Sequence, residues 1–278
     1  MVPSLALFVL FTYTYADFSP SFKTFLKETY GKPFANLMAR RDIGPDGSFG
    51  GGDHQPGTRT SLATSCSHRP RNHEHCWKIC AYASAPAECT VLLNGWKESE
   101  IYATTYGDGG KTAAPMVDMK CDYVKQVRWL IQAVAEFTRR RVDVIGYSMG
   151  SPIARKAILG GRCVDTGERL GPSLTALVDT FVSVAGANHG SFLCILPFPG
   201  ACNMVNGLSC RSSFIQNING RQRYEGLHVF SIYSPQDDKV GFRNACGELT
   251  SAIAGSDQEF QVSSTLSVDL ELHHQRRR

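Results

Sequence analysis

One segment constrains this chain more than any other: VDVIGYSMGSPIARKAILGG, residues 142–161. An apolar, β-branched run (Val142, Val144, Ile145) enters the turn Gly146-Tyr147-Ser148-Met149-Gly150. A Pro152-started, Ala-rich stretch follows and stops at Gly160-Gly161. Gly-x-Ser-x-Gly alone is a common pattern. Between a strand and a helix it has a physical meaning, because a tight turn there exposes the serine hydroxyl while the helix N-terminus behind it favours developing negative charge. Gly146 and Gly150 then have a steric reason, since side chains at these positions would collide with the neighbouring strand and helix. Ser148 is therefore a candidate nucleophile, and the Met149 N–H a candidate donor to an oxyanion. The competing reading is a surface serine in a turn of small residues.

The rest of the chain repeats the strand–helix alternation. SPSFKTFLKETYG reads as a helix capped by Ser19, with Pro20 in the first turn, Gly31 at its end, and Phe22, Phe25 and Leu26 on one face. Residues 44–57 read as a Gly/Pro/Asp loop. Strands are expected at 100–106, 142–147, 178–185 and 227–233, and helices at 121–140 and 152–159. The first of those two helices carries Val124, Val127, Leu130, Ile131, Val134 and Phe137 as a stripe. Such alternation implies an α/β fold with a parallel sheet covered on both faces. Sites on these sheets lie at the carboxyl ends of the strands, and Ser148 and the loops after Ala185 and Tyr233 all leave there.

The chain has 278 residues, 42% of them apolar and 19% charged, enough for one large α/β domain. Its net charge of +4 is small, and the runs Arg40-Arg41, Arg139 to Arg141 and Arg276 to Arg278 read as solvated surface. Nucleic acid is not an expected partner. MVPSLALFVLFTYTYADFSP reads as a secretory signal peptide over 1–16, with a short apolar core and a small-x-small pattern at Thr14 and Ala16. No stretch is long enough for a transmembrane segment. Ten cysteines agree with a secreted, extracellular, oxidising location. Cys66, Cys76, Cys80 and Cys89 cluster; Cys121, Cys163, Cys194, Cys202, Cys210 and Cys246 are spread, with pairing open. The cluster also holds His68, His73 and His75, but its spacing matches no standard zinc pattern. No metal or cofactor is expected.

A serine nucleophile needs a base and a carboxylate to orient it, in the chain order Ser, acid, His on such a fold. SIYSPQDDKVG offers Asp237 and Asp238 just past a strand. His189 and His228 precede both acids and so violate the order; only His273 or His274, in a charged terminal tail, follows.

The stretch from EIYATTYGDGG to KAILGG, then VDTFVSVAGANHGSFLC and YEGLHVFSIYSPQDDKVG, resembles the class 2 lipase family, closest to secreted lipase-like proteins of nematodes. The resemblance implies a minimal α/β-hydrolase, with a central, mostly parallel sheet flanked by helices. It would be a single domain over 17–278, with atypical segments at about 59–90 and 261–278. It implies hydrolysis of acylglycerols or other lipid esters by a Ser-Asp-His triad, and it selects Asp237 over Asp238. In the family an apolar strand ending in His-Gly precedes NGWKESEIYATTYG, and its turn supplies the second oxyanion donor. Here TSLATSCSHRPRNHEHCWKICAYASAPAECT stands in that place and reads as containing no such strand. The alternative function is a lipase-like secreted binding protein without turnover.

Overall fold

The computed structural model describes residues 17–44, 47–51, 61–64 and 100–263. The segment 1–16 expected as a signal peptide, the clustered cysteines and the His273-His274 pair lie outside the described residues. The strands are β1 (Ser48–Gly50), β2 (Ser61–Thr64), β3 (Ile101–Thr104), β4 (Val142–Tyr147), β5 (Gly161–Arg162), β6 (Arg169–Gly171), β7 (Val178–Val184), β8 (His228–Tyr233) and β9 (Gln258–Gln261). The helices are α1 (Pro20–Tyr30), α2 (Lys32–Ala39), α3 (Cys121–Thr138), α4 (Gly150–Leu159) and α5 (Ser213–Asn219). One seven-stranded sheet has the order β1-β3-β2-β4-β7-β8-β9, while β5 and β6 form a separate pair. Every pairing in the large sheet is parallel except β1 on β3, so the architecture is a mostly parallel sheet flanked by helices.

Local chemistry explains the elements. Ser19 Oγ accepts the Phe22 N–H, Pro20 opens α1, and the Gly31 N–H closes it on Lys27 O. Phe22 and Leu26 are fully buried, Phe22 edge-on to Phe18 and Tyr102. In α3 the stripe Val124, Val127, Leu130, Ile131 and Val134 is at most 1% exposed, an apolar face of the kind that makes a helix pack. Arg128, on the same helix, reaches past this face and donates to Ala157 O in α4 at 2.7 Å. The helices α3 and α4 are thereby tied by a polar contact as well as by packing. The six spread cysteines pair among themselves as Cys121–Cys163, Cys194–Cys202 and Cys210–Cys246. Each cross-link restricts the unfolded chain, which stabilises by about 2–4 kcal/mol for loops of this order.

Four expectations need correction. TSLAT contains the strand β2, paired to β3 on one side and β4 on the other. Its polar flanks hide it because pairing on both edges, rather than an apolar run, defines a short central strand. Residues 48–50, expected as loop, form β1 against β3. A Cβ on Gly50 would lie 2.0 Å from Ile101 O, so this edge needs glycine for the close approach. Arg40 is not solvated surface: at 8% exposure and φ 49° it ends α2, pairs with Asp42, and donates to Thr105 O and Gly107 O. The helix after the turn begins at Gly150, two residues before Pro152, which sits in its first turn.

Candidate active site

The strand β4 delivers Gly146 and Tyr147 to the carboxyl edge of the sheet, and α4 starts two residues after Ser148. A Cβ on Gly146 would lie 2.7 Å from the Ser151 Cα, which is the steric demand the sequence implied. Ser148 has φ 50°, a left-handed conformation that is unfavourable for a residue with a Cβ and concentrates at functional turns. Three backbone bonds hold it there: Ser148 N–H to Val184 O at 3.0 Å, and Ser148 O accepting from Ser151 N and Ala187 N, both at 3.2 Å. Its Oγ makes no hydrogen bond among the described residues. Met149 caps α4, is 6% exposed, and its N–H meets no acceptor among the described residues.

Behind the turn lies a buried polar hub. Ser151 Oγ donates to Asn188 Oδ1 at 2.7 Å and shares a hydrogen bond with Ser183 Oγ at 2.9 Å. Asn188 Nδ2 donates to Ser183 Oγ and to Ser251 O, both at 2.9 Å, and Ser231 Oγ donates to the same Ser251 O at 2.6 Å. Asn219 on α5 donates to Asn188 O, and its own side-chain oxygen accepts from Arg155, whose Nε also pairs with the fully buried Glu225 at 2.9 Å. The hub thus joins α4, β7, β8, α5 and the segment before β9. The sequence reading missed it. The available signal is that Ser183 and Ser231 occupy buried positions of strands otherwise filled by Val, Phe and Tyr.

The structure brings Ser148 and the acid turn to the same edge. The strand between them is β7, and Ala185 N donates to Ile232 O at 2.8 Å. Asp237 is half-buried; its Oδ1 accepts from Lys239 N at 2.8 Å and Val240 N at 3.0 Å. Its Oδ2 takes no hydrogen bond among the described residues. Asp238 is exposed and pairs with Lys239 at 2.7 Å, and that contact lowers its pKa. Geometry therefore separates the two acids: one braces a turn and keeps a free oxygen, while the other faces solvent.

His228 begins β8, so it lies at the amino end of its strand, opposite Asp237, and is exposed. His189 is half-buried in the loop after β7, with Nδ1 3.7 Å from Glu248. Burial holds its pKa below the usual value, against the pull of Glu248. Neither histidine hydrogen-bonds Ser148 or Asp237. Among the described residues the one group of metal-ligand type is Cys121, Cys163 and Asp165, and both of its sulfurs are in a disulfide.

No curated protein matches this chain. The structure of Aspergillus fumigatus lipase B is similar with a TM-score of 0.52 and 13% identity, over 80% of this chain and 49% of that one. The chain therefore spans about half the length of that lipase. The mature form of Bacillus licheniformis lipase BlEst2 matches with a TM-score of 0.46 and 13% identity, over 78% of this chain and 89% of that one. The fold is that of the α/β-hydrolases. The family described as Lipase (class 2) matches residues 87–274, more than half of the sequence, and the chain belongs to the class 2 lipase family.

Proposed function

We propose that this chain is a secreted serine lipase or esterase that hydrolyses acylglycerols or other lipid carboxylic esters. The observation that carries the reading is Ser148, held at φ 50° between a central strand and a helix N-terminus. Ser148 Oγ attacks the ester carbonyl carbon while a histidine accepts its proton. The tetrahedral oxyanion is met by the Met149 N–H at the start of α4. Collapse expels the alcohol, protonated by the histidine, and water then releases the acid by the same steps in reverse order.

Asp237 orients the base through its free Oδ2. His273 or His274 supplies the base. Support comes from β9, which runs parallel to β8 and whose following residue, Val262, donates to Tyr233 O. The chain past β9 thus leaves the sheet at the edge where Asp237 lies. The second oxyanion donor is assigned to the chain that follows β2, whose last residue, Thr64, is paired with Gly146 just before Ser148. Three disulfides support an oxidising, extracellular location, and no helix among the described residues is long and apolar enough to cross a membrane.

A fluorophosphonate probe labels the purified protein and fails on Ser148→Ala; equal labelling of the two sinks the assignment. The alternative is a lipase-like secreted binding protein without turnover; neither His189 nor His228, the histidines among the described residues, hydrogen-bonds Ser148 or Asp237. Turnover of a dissolved short-chain ester, lost in Ser148→Ala, excludes that reading.

A further inference from the structure

From Gly190 to Cys210 the chain has no Asp, Glu, Lys, Arg or His. Folded proteins normally hide such a run. Here much of it is outside: Leu193, Ile195 and Leu196 are 60–75% exposed, and Phe198 is exposed beside them. Met116, 58% exposed, joins them, because Ala201 N donates to Pro115 O in the turn Ala114–Met116. The loop is nevertheless fixed. The buried Cys194–Cys202 disulfide closes it, the Leu193 N–H bonds Ser191 Oγ, and Pro197 and Pro199 restrict its backbone. A Cβ on Gly200 would lie 2.6 Å from Pro115 O, so the two segments pack without space for a side chain.

The stem of this loop belongs to the proposed site. Ala187 N donates to Ser148 O, and Phe192 N donates to Val240 O, the residue whose own N–H braces Asp237. The Phe192 ring packs on Gly241, where a Cβ would lie 2.4 Å from it. The apolar tip therefore follows directly on a stem that is hydrogen-bonded to the Ser148 turn and to the acid turn.

We propose that the disulfide-closed tip 193–198, with Met116, is a fixed anchor that inserts into a lipid surface and holds the Ser148 edge against it. The proposal rests on the lipid-ester reading of the site. Three features select a lipid surface over a protein partner. The tip offers no charge to pair and few side-chain hydrogen bonds. It protrudes as a short run, whereas a stable protein interface needs about 20–30 residues and 800 Å² a side. Its stem is continuous with the residues that would act on a lipid. A fluid apolar phase needs no shape complementarity, and burying Leu- and Ile-sized side chains there is favourable. Because the tip is already exposed and covalently closed, docking requires no opening step.

The test uses the full chain carrying Ser148→Ala, so that vesicles are not consumed and binding is read apart from catalysis. Flotation with phosphatidylcholine vesicles should show bound protein, with little change between low and high sodium chloride. Adding Ile195→Asp and Leu196→Asp should weaken vesicle binding by at least about tenfold. Unfolding temperature reports whether that variant is folded; if it is not, Ile195→Ser with Leu196→Ser replaces it. In the active chain, the same pair should lower turnover of emulsified ester more than turnover of dissolved ester. Binding unchanged by both pairs, binding abolished by salt, or a parent dimer that the pair dissociates would each overturn the anchor. Absence of dissolved-ester turnover in the parent overturns the enzyme reading instead, and vesicle binding remains a separate result.

Discussion

Two regions meet at Ser148, and each inverts the usual rule of burial. Behind the turn, Ser151, Ser183, Asn188, Arg155 and Glu225 are polar and at most 1% exposed. In the loop that follows Asn188, Leu193, Ile195 and Leu196 are apolar and largely exposed. The inversions differ in kind. Buried polar groups are tolerated where they are hydrogen-bonded, and nearly every hub atom has a partner. Exposed apolar side chains have no compensating partner in the folded chain, so folding alone gives no reason for them. The hub should therefore be tested through stability and turnover together, and the rim should leave stability nearly unchanged.

The largest effect is expected at the ion pair behind α4. Arg155→Met leaves Glu225 buried without its cation, and Glu225 Oε2 already lacks a hydrogen bond. Denaturant unfolding should show a loss of about 3–5 kcal/mol, and Arg155→Met with Glu225→Leu should recover much of it. A single variant as stable as the parent would show that the pair does not hold the hub.

Asn188→Ala removes three hydrogen bonds, to Ser151, Ser183 and Ser251. The expected cost is about 2–3 kcal/mol of stability. Because Ser151 and Ala187 hydrogen-bond the proposed nucleophile, Ser148, through its carbonyl, kcat on a dissolved ester should also fall, by about 10–100-fold, with little change in KM. Loss of stability with unchanged kcat would reduce Asn188 to a packing role.

Lys156 gives a weaker, pH-dependent test of the same region. Its ammonium is buried and bonded to Gly160 O and Asn217 Oδ1, and burial pushes its pKa from 10.5 down to about 8. Between those values the unfolded chain holds more protons than the folded one, so stability from this group rises with pH across that window and is flat below it. The rise should be no more than about 3 kcal/mol and should vanish in Lys156→Met. Equal slopes in parent and variant would contradict a strained buried ammonium.

Much of this arrangement was legible in the sequence because its signals are local. The run 142–147 and the stripe on 121–138 mark their elements through side-chain periodicity, and Ser19 and Gly160 mark helix ends through capping. The sharp turn at Ser148 was legible because a strand, a glycine and a helix start converge on it. The central strand Ser61–Thr64 was not, because two neighbours far away in sequence define it. The hub was not legible for the same reason. Asn188 reads as one more polar residue beside His189 until Ser151, Ser183 and Ser251 are brought to it from three other segments. The rim ran the other way: its lack of charge is visible in the sequence, but its exposure is a tertiary fact.

That last distinction sets the smallest prediction. Leu196 is 75% exposed, and polar replacement of so exposed a side chain removes almost no buried contact. Leu196→Ser should change unfolding free energy by no more than about 0.5 kcal/mol, against the several expected at Arg155. A larger loss would mean that the tip packs in solution more than its exposure indicates, and the contrast between hub and rim would then fail at the rim. A null effect on stability, with a measurable loss of vesicle binding, would show that the rim's apolar surface contributes to something outside the folded chain.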